Sequence, residues 1–322
     1  VSGVLVSGAT TPLGVRLLQR LRLAGRGPLM ALGREDDEDA LAMLPDGVHY
    51  HRVDLTRARD VRQVLYGPVA DLGVGALVHL AAHRSALAEG GRVHNLNVEA
   101  TRLLLHLAEE HPTITRFVHR SSAAVYRNRT DQPDVLREDA SLDLDPTAPQ
   151  WVRDRVEADV TVCARMGLSP LQIVVLRCAE VLCADMGSQL YDYLRSRVCL
   201  RPLGYDPMVE LLSLDDAARA LVLALSAPEP GVYNIPGLDV LPLSRVIRLW
   251  GRDEVALPGA LLGPAYRLRR AARGTRFRYD LNWWRFHFSA VLDGTRAARL
   301  LDYRPESGIG WPAATASRSD GR

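Results

Sequence analysis

The feature that most constrains this chain is a regular alternation of short apolar runs and amphipathic helical stretches, beginning almost at the first residue. Val4-Leu5-Val6 suits a buried parallel strand, and the run breaks at Ser7-Gly8-Ala9-Thr10-Thr11-Pro12-Leu13-Gly14. A helical pattern follows through Val15, Leu17, Leu18 and Leu21. Leu29-Met30-Ala31-Leu32, Val48 to Val53, Ala76 to Ala82 and Phe117-Val118-His119 then read as strands two to five. Between the last two, Arg92 to Glu110 carries an apolar stripe through Val93, Leu96, Leu103, Leu104 and Leu107. Strands alternating with helices of this length predict an α/β fold with a doubly wound parallel sheet.

The first strand–turn–helix unit is the kind that aims helix N-terminal amides at a pyrophosphate. Gly8 would permit the tight turn and Gly14 close packing of helix on strand, but Thr11 stands where a middle glycine would let backbone approach phosphate. The second strand ends in Gly33-Arg34, with no carboxylate there to hold the adenosine ribose hydroxyls. A guanidinium suits a 2′-phosphate, which favours NADP over NAD; alternatively Arg34 opens a solvated loop, since Glu35-Asp36-Asp37-Glu38-Asp39 follows. Asp54-Leu55, at the end of the third strand, suits the adenine amine.

Taken together, the segments resemble the extended short-chain dehydrogenase/reductases, in their NAD-dependent epimerase/dehydratase branch. The residues that carry this are Ser7-Gly8-Ala9-Thr10 with Gly14, Asp54-Leu55, His79-Leu80-Ala81-Ala82, Asn97-Val98-Glu99-Ala100-Thr101 and Ser121-Ser122-Ala123-Ala124-Val125-Tyr126. Val175-Leu176-Arg177, Leu214 to Ala220 and Val232-Tyr233-Asn234-Ile235 continue it in order. The feel is that of a bacterial UDP-glucose 4-epimerase-like subgroup, some members of which lack the active-site tyrosine. The resemblance implies a Rossmann domain over 1–182, with 210–236 returning to its sheet, and a substrate-side lobe over 183–209 and 237–312; the small, polar tail over 313–322 is expected to fray. It implies dinucleotide contacts from Gly8, Thr10, Thr11, Pro12, Leu13, Gly14, Arg34, Asp54, Leu55, Leu80, Ala81, Ala82 and Arg155. Ser122 matches the serine that hydrogen-bonds a substrate oxygen, and Asn97 an asparagine that orders its helix and a water.

The tyrosine and lysine expected of the family are missing. Trp151-x-x-x-Arg155, with Asp159 four residues on, fits the position best; Pro149-x-x-x-Arg153 with Glu157 is a poorer register. All 40 basic residues are Arg, so no lysine amine is present at all. In the family's reaction a tyrosinate takes a proton as hydride moves to the nicotinamide, with an ammonium lowering the tyrosine pKa. An indole has no proton to exchange near neutrality. Losing general acid–base help removes typically ~10²–10⁴-fold in rate. Trp151 would either stack on a nicotinamide or sugar ring or simply pack, while Arg155 keeps a charge for the ribose hydroxyls. His83, Glu180, Tyr126 and Tyr191 are the substitute proton carriers to be weighed, Tyr126 ordinarily being structural in the family.

These residues leave three readings: a catalytically degenerate protein that binds NAD or NADP in a cofactor-binding or accessory role, a working nucleotide-sugar epimerase or oxidoreductase with a substitute acid, and a regulatory protein with an unoccupied pocket. The ligand implied is a nucleotide-sugar or another small carbonyl or alcohol compound. Arg177, Arg195, Arg197 and Arg201 are candidates for a diphosphate, or solvated surface residues. A basic run through Arg267, Arg269, Arg270, Arg273, Arg276 and Arg278 precedes Trp283-Trp284-Arg285-Phe286-His287-Phe288; a structural role is expected for the aromatics and no nucleic-acid partner. A net charge of +2 gives no global pull toward polyanions. Four scattered Cys lead to no disulfide, no metal and a cytoplasmic location as expectations, and neither a signal peptide nor a membrane span is expected. The helices Arg92–Glu110 and Trp151–Met166 correspond to those that pair subunits in related enzymes, which implies a homodimer.

Overall fold

The computed structural model describes residues 3–129 and 133–312; the tail expected over 313–322 lies outside them. Five strands open the chain: β1 (Val4–Ser7), β2 (Leu29–Gly33), β3 (Val48–Arg52), β4 (Ala76–His79) and β5 (Arg116–Ser122). Gln172–Cys178 and Gly231–Ile235 complete a seven-stranded parallel sheet, in the order Gly231–Ile235, Gln172–Cys178, β5, β4, β1, β2, β3. Strand order reverses at β1, so the loops leaving β1 and β4 diverge and open a crevice beyond their carboxyl ends.

Helices cover both faces because each carries one apolar stripe. Pro12–Leu23 (α1) buries Leu13, Leu17, Leu18 and Leu21 beside Leu214–Ala224, which buries Ala217, Ala220 and Leu221. On the other face Leu104 and Leu107 of Ala100–Glu109 pack with Val61 and Phe117. Full burial of each such leucine contributes ~1.5–3 kcal/mol. The polar core is satisfied in the same way. His79 joins Ser7 Oγ at 2.6 Å and Thr101 Oγ1 at 2.9 Å, and burial pushes it down to about 3, so it stays neutral. The helix expected over Arg92–Glu110 runs as Gly91–His94 and Ala100–Glu109 with a π-turn, Asn95–Glu99, between them. That extra residue in the turn is a local device that often marks functional positions, and it carries Asn97.

The smaller lobe is built on Met208–Leu212, which pairs with Asp239–Pro242 and Glu180–Val181, and on the pair Val198–Pro202 and Asp253–Leu257. Its core is aromatic: the Tyr193 ring lies 5.1 Å from both Phe277 and Phe286. Phe286 is thus a core residue, and Trp283 stacks on His287 at 4.4 Å. The basic run forms the last turns of Gly259–Arg273, ended by Gly274 at φ 61°, and the irregular segment after it. Among the described residues no helix is long and apolar enough to cross a membrane.

Candidate dinucleotide cleft and its neck

The glycine turn closes as its sequence requires. Gly8 has φ 70°, and a Cβ on it would sit 2.8 Å from the Ala81 amide nitrogen. A Cβ on Gly14 would lie 2.5 Å from the carbonyl oxygens of Gly8 and Ala9. No other residue type fits either place without moving backbone. Thr11 does not point at the turn's open side as a bare obstruction. Its hydroxyl donates to the Gly8 carbonyl at 2.7 Å and accepts the Gly14 N–H at 3.1 Å, so it is the N-cap of α1, with Pro12 at the first helical position.

Beyond this turn lies a cleft of ≈ 720 Å³. Gly8, Thr10, Thr11, Arg34, Leu55, Ala81 and Ala82 line it, whereas Pro12, Leu13, Gly14, Asp54 and Leu80 do not. The Asp54 carboxylate instead accepts the N–H and hydroxyl of Thr56 at 3.0 and 2.7 Å, a local turn that holds it below the usual carboxylate range. Against the expectation of no carboxylate at the end of β2, one stands two residues on. Glu35 lines the cleft, accepts from the Thr10 hydroxyl, from the Arg34 amide at 3.1 Å and from Arg84 at 3.0 Å. Burial opposes its charge, but these donors hold the carboxyl below its ordinary value. Ser188, Tyr191, Asp192 and Arg276 form the facing wall from the small lobe.

The crevice narrows sharply toward the lobe. Ala81, Ala82, His83 and Ser85 belong both to the large cleft and to a ≈ 50 Å³ cavity that includes Asn97, Arg120, Ser122, Trp151 and Arg155; the last four of these also border a ≈ 20 Å³ cavity. A third space of ≈ 70 Å³ continues from Ser122 to Glu210 and Trp284. Helix Gln150–Cys163 turns the register Trp151, Arg155, Asp159 inward; Arg153 donates to the Pro146 carbonyl at the surface and Glu157 is exposed. Trp151 is 6 % exposed, and the Arg155 and Arg285 guanidinium carbons stand 4.8 and 6.0 Å from its ring centroid. Burial and the neighbouring Arg120 push Arg155 down to about 10, which leaves it charged.

The substitute proton carriers divide clearly. Glu180 is bound by Arg285 at 2.9 Å and by the Ser188 hydroxyl at 2.5 Å; although burial opposes its charge, these partners keep its carboxyl below the ordinary value, so it is an anchored anion and not an acid. Tyr126 is buried, donates to Asn234 at 2.6 Å and is pushed up to about 12 by burial, a structural residue. Tyr191 lies in the outer cleft, edge-on to Trp250. His83 alone among the four borders both the cleft and the neck, its backbone N–H held by Asn97 Oδ1 at 2.8 Å while Asn97 Nδ2 reaches Asp154 at 2.9 Å.

Arg177 meets neither expectation for it. It is buried and forks onto Asp159 at 2.7 and 3.1 Å, with Ser121 on the same carboxylate, and also reaches Tyr126. Arg201 pairs with Glu254 at 2.7 Å, and Arg195 and Arg197 border a separate ≈ 360 Å³ surface cleft with Arg273. Sequence reading missed Glu35, Arg120 and Arg285. Glu35 had a usable signal, a carboxylate two residues past the second strand; the two arginines had none.

Residues 4–236 match the model of the NAD dependent epimerase/dehydratase family. An uncharacterised protein of Mycobacterium tuberculosis strain H37Rv is 31% identical over 311 residues, 94% of this chain and 80% of that protein. Among solved structures, MoeE5 in complex with UDP-glucuronic acid and NAD superposes with TM-score 0.70 at 20% identity, covering 99% of this chain and 100% of that one. UDP-glucose 4-epimerase of Thermotoga maritima, with UDP-glucose, does so with TM-score 0.70 at 16% identity, over 95% and 94%.

Proposed function

The chain belongs to the NAD dependent epimerase/dehydratase family, and from that premise we propose that it binds a dinucleotide in the large cleft while lacking the proton-transfer pair of a working enzyme. The observation that carries this is the inward register of Gln150–Cys163, where a buried indole and a guanidinium stand at the positions that the resemblance assigns to tyrosine and lysine. Neither group exchanges a proton near neutrality. The residues present suit the cofactor: a Cβ would fill the cradle at Gly8, and Glu35 offers acceptors beside it. A bound nicotinamide would supply hydride acceptance. Gly8, Thr10 and Thr11 would face its pyrophosphate and Glu35 its adenosine ribose.

Glu35 also bears on which dinucleotide. A carboxylate accepts from a ribose 2′-hydroxyl and repels a 2′-phosphate, so NAD is our choice over the NADP that Arg34 suggested. Relatives in structure include proteins holding UDP-glucuronic acid and UDP-glucose, which supports a nucleotide-sugar as the second ligand. A homodimer through Ala100–Glu109 and Gln150–Cys163, and a cytoplasmic location, complete the proposal; light scattering tests the first. Titration calorimetry with NAD and NADP tests the whole. One site per chain with NAD tighter is expected, and no heat with either dinucleotide overturns it.

A second reading rests on His83. It borders cleft and neck together, so an active enzyme would use it as the proton carrier. Turnover of UDP-sugars that disappears in His83→Ala would establish that reading over ours.

A further inference from the structure

The neck holds more hydrogen-bond donors than it can use. Arg120 Nε, Arg285 Nε and Trp151 Nε1 are buried and without a partner, and all three residues border the ≈ 20 Å³ cavity. Native interiors leave few such groups, because each has given up its hydrogen bonds to water without replacing them. Three guanidinium groups, of Arg120, Arg155 and Arg285, meet only one carboxylate in the lining, that of Glu180. Glu180 is already taken by Arg285 and Ser188. The neighbouring Asp154 is taken by His94 and Asn97.

A water molecule fits a space of this size, yet it accepts only two hydrogen bonds and carries no charge. It would leave one donor unpaired and the excess positive charge uncompensated. A carboxylate offers about four lone-pair sites on two oxygens and matches the guanidinium fork. We infer that the neck is an oxyanion subsite, built to take a carboxylate-sized anion from the ligand presented to the cleft. It rests on the proposed function only in assigning that anion to the dinucleotide's companion ligand. Arg120, Arg285 and the Trp151 indole N–H supply the donors and Arg155 the additional charge, while the Glu180 carboxylate stays held by Arg285 and Ser188.

The probe is acetate, titrated at constant ionic strength against chloride and read by tryptophan emission and thermal unfolding. A saturable emission change is expected in the wild-type chain and its loss in Trp151→Phe, together with a rise in melting temperature. Arg120→Gln should weaken acetate at least tenfold without lowering the melting temperature in its absence, because Arg120 has no carboxylate to strand and its removal relieves Arg155. A purely structural Arg120 would show the opposite pair of results. Arg285→Lys keeps a charge beside Glu180 but loses the fork, and it too should weaken acetate. No saturable response to acetate, or undiminished affinity in both variants, overturns the inference. NAD calorimetry on the same samples separates the failures: NAD bound without acetate sinks this subsite, and acetate bound without NAD sinks the reading of the large cleft.

Discussion

Along a single helix, Gln150–Cys163, buried arginine is treated in two opposite ways. At Asp159 the Arg177 guanidinium forks onto a fully buried carboxylate that Ser121 also holds, and its remaining N–H groups reach Tyr126 and the Glu138 carbonyl. One turn earlier, at Arg155, three guanidiniums crowd around one carboxylate and leave donors unmatched. The first arrangement is finished, and it ties the helix to the strand Gln172–Cys178. The second is finished only when something else enters. Completed polar networks in this protein hold the fold together, and the incomplete one marks where a ligand belongs.

The largest expected effect tests the finished side. Asp159→Ala strands Arg177 in the core and should cost about 3–5 kcal/mol in urea unfolding, whereas Arg155→Met should cost less than about 1 kcal/mol. Equal losses would erase the contrast. Next is the catalytic gap itself. Trp151→Tyr combined with Arg155→Lys restores the missing proton pair and should raise turnover on a UDP-sugar by at least ~10²-fold, as expected of general acid–base help. A double variant no faster than the parent would mean that the neck fails for some other reason.

Acid sharpens the comparison from the polar core. Burial pushes His79 down to about 3 and His119 down to about 4, both from 6.5, so the unfolded chain binds their protons first. Stability contributed by the neutral rings is full above about pH 6.5 and is lost as pH falls toward 4, with a slope of about 1.4 kcal/mol per pH unit for each histidine. Chemical unfolding at a series of pH values reads this, and His119→Gln should flatten the slope. The smallest effect is at the cleft. Glu35→Gln should narrow the preference for NAD over NADP by about tenfold, roughly 1.4 kcal/mol, by removing charge next to the ribose.

Much of this was legible before any coordinates. Periodicity located β1 to β5, and glycine spacing located the turn, since Gly8 and Gly14 answer to steric needs that the sequence states directly. The helical offset of four placed Trp151 over Arg155 and pointed both inward with Asp159. Pairings across the chain were not legible. Arg177 finds Asp159 only because the helix Gln150–Cys163 lies on the sheet, and the motif Val175-Leu176-Arg177 does not state which carboxylate its arginine meets. Glu35 was hidden in a different way: the acidic run after it looks like solvent-facing loop, and only the bend beyond Gly33 brings its carboxylate to Thr10.

We propose a cleft that accepts the dinucleotide and a neck that cannot pass a proton. A rapid-mixing experiment with saturating NAD and UDP-glucose, following reduced-nicotinamide absorbance, tests it most directly. Bound NAD with no reduced nicotinamide is the expected result. A burst of reduced nicotinamide stoichiometric with the protein would contradict it.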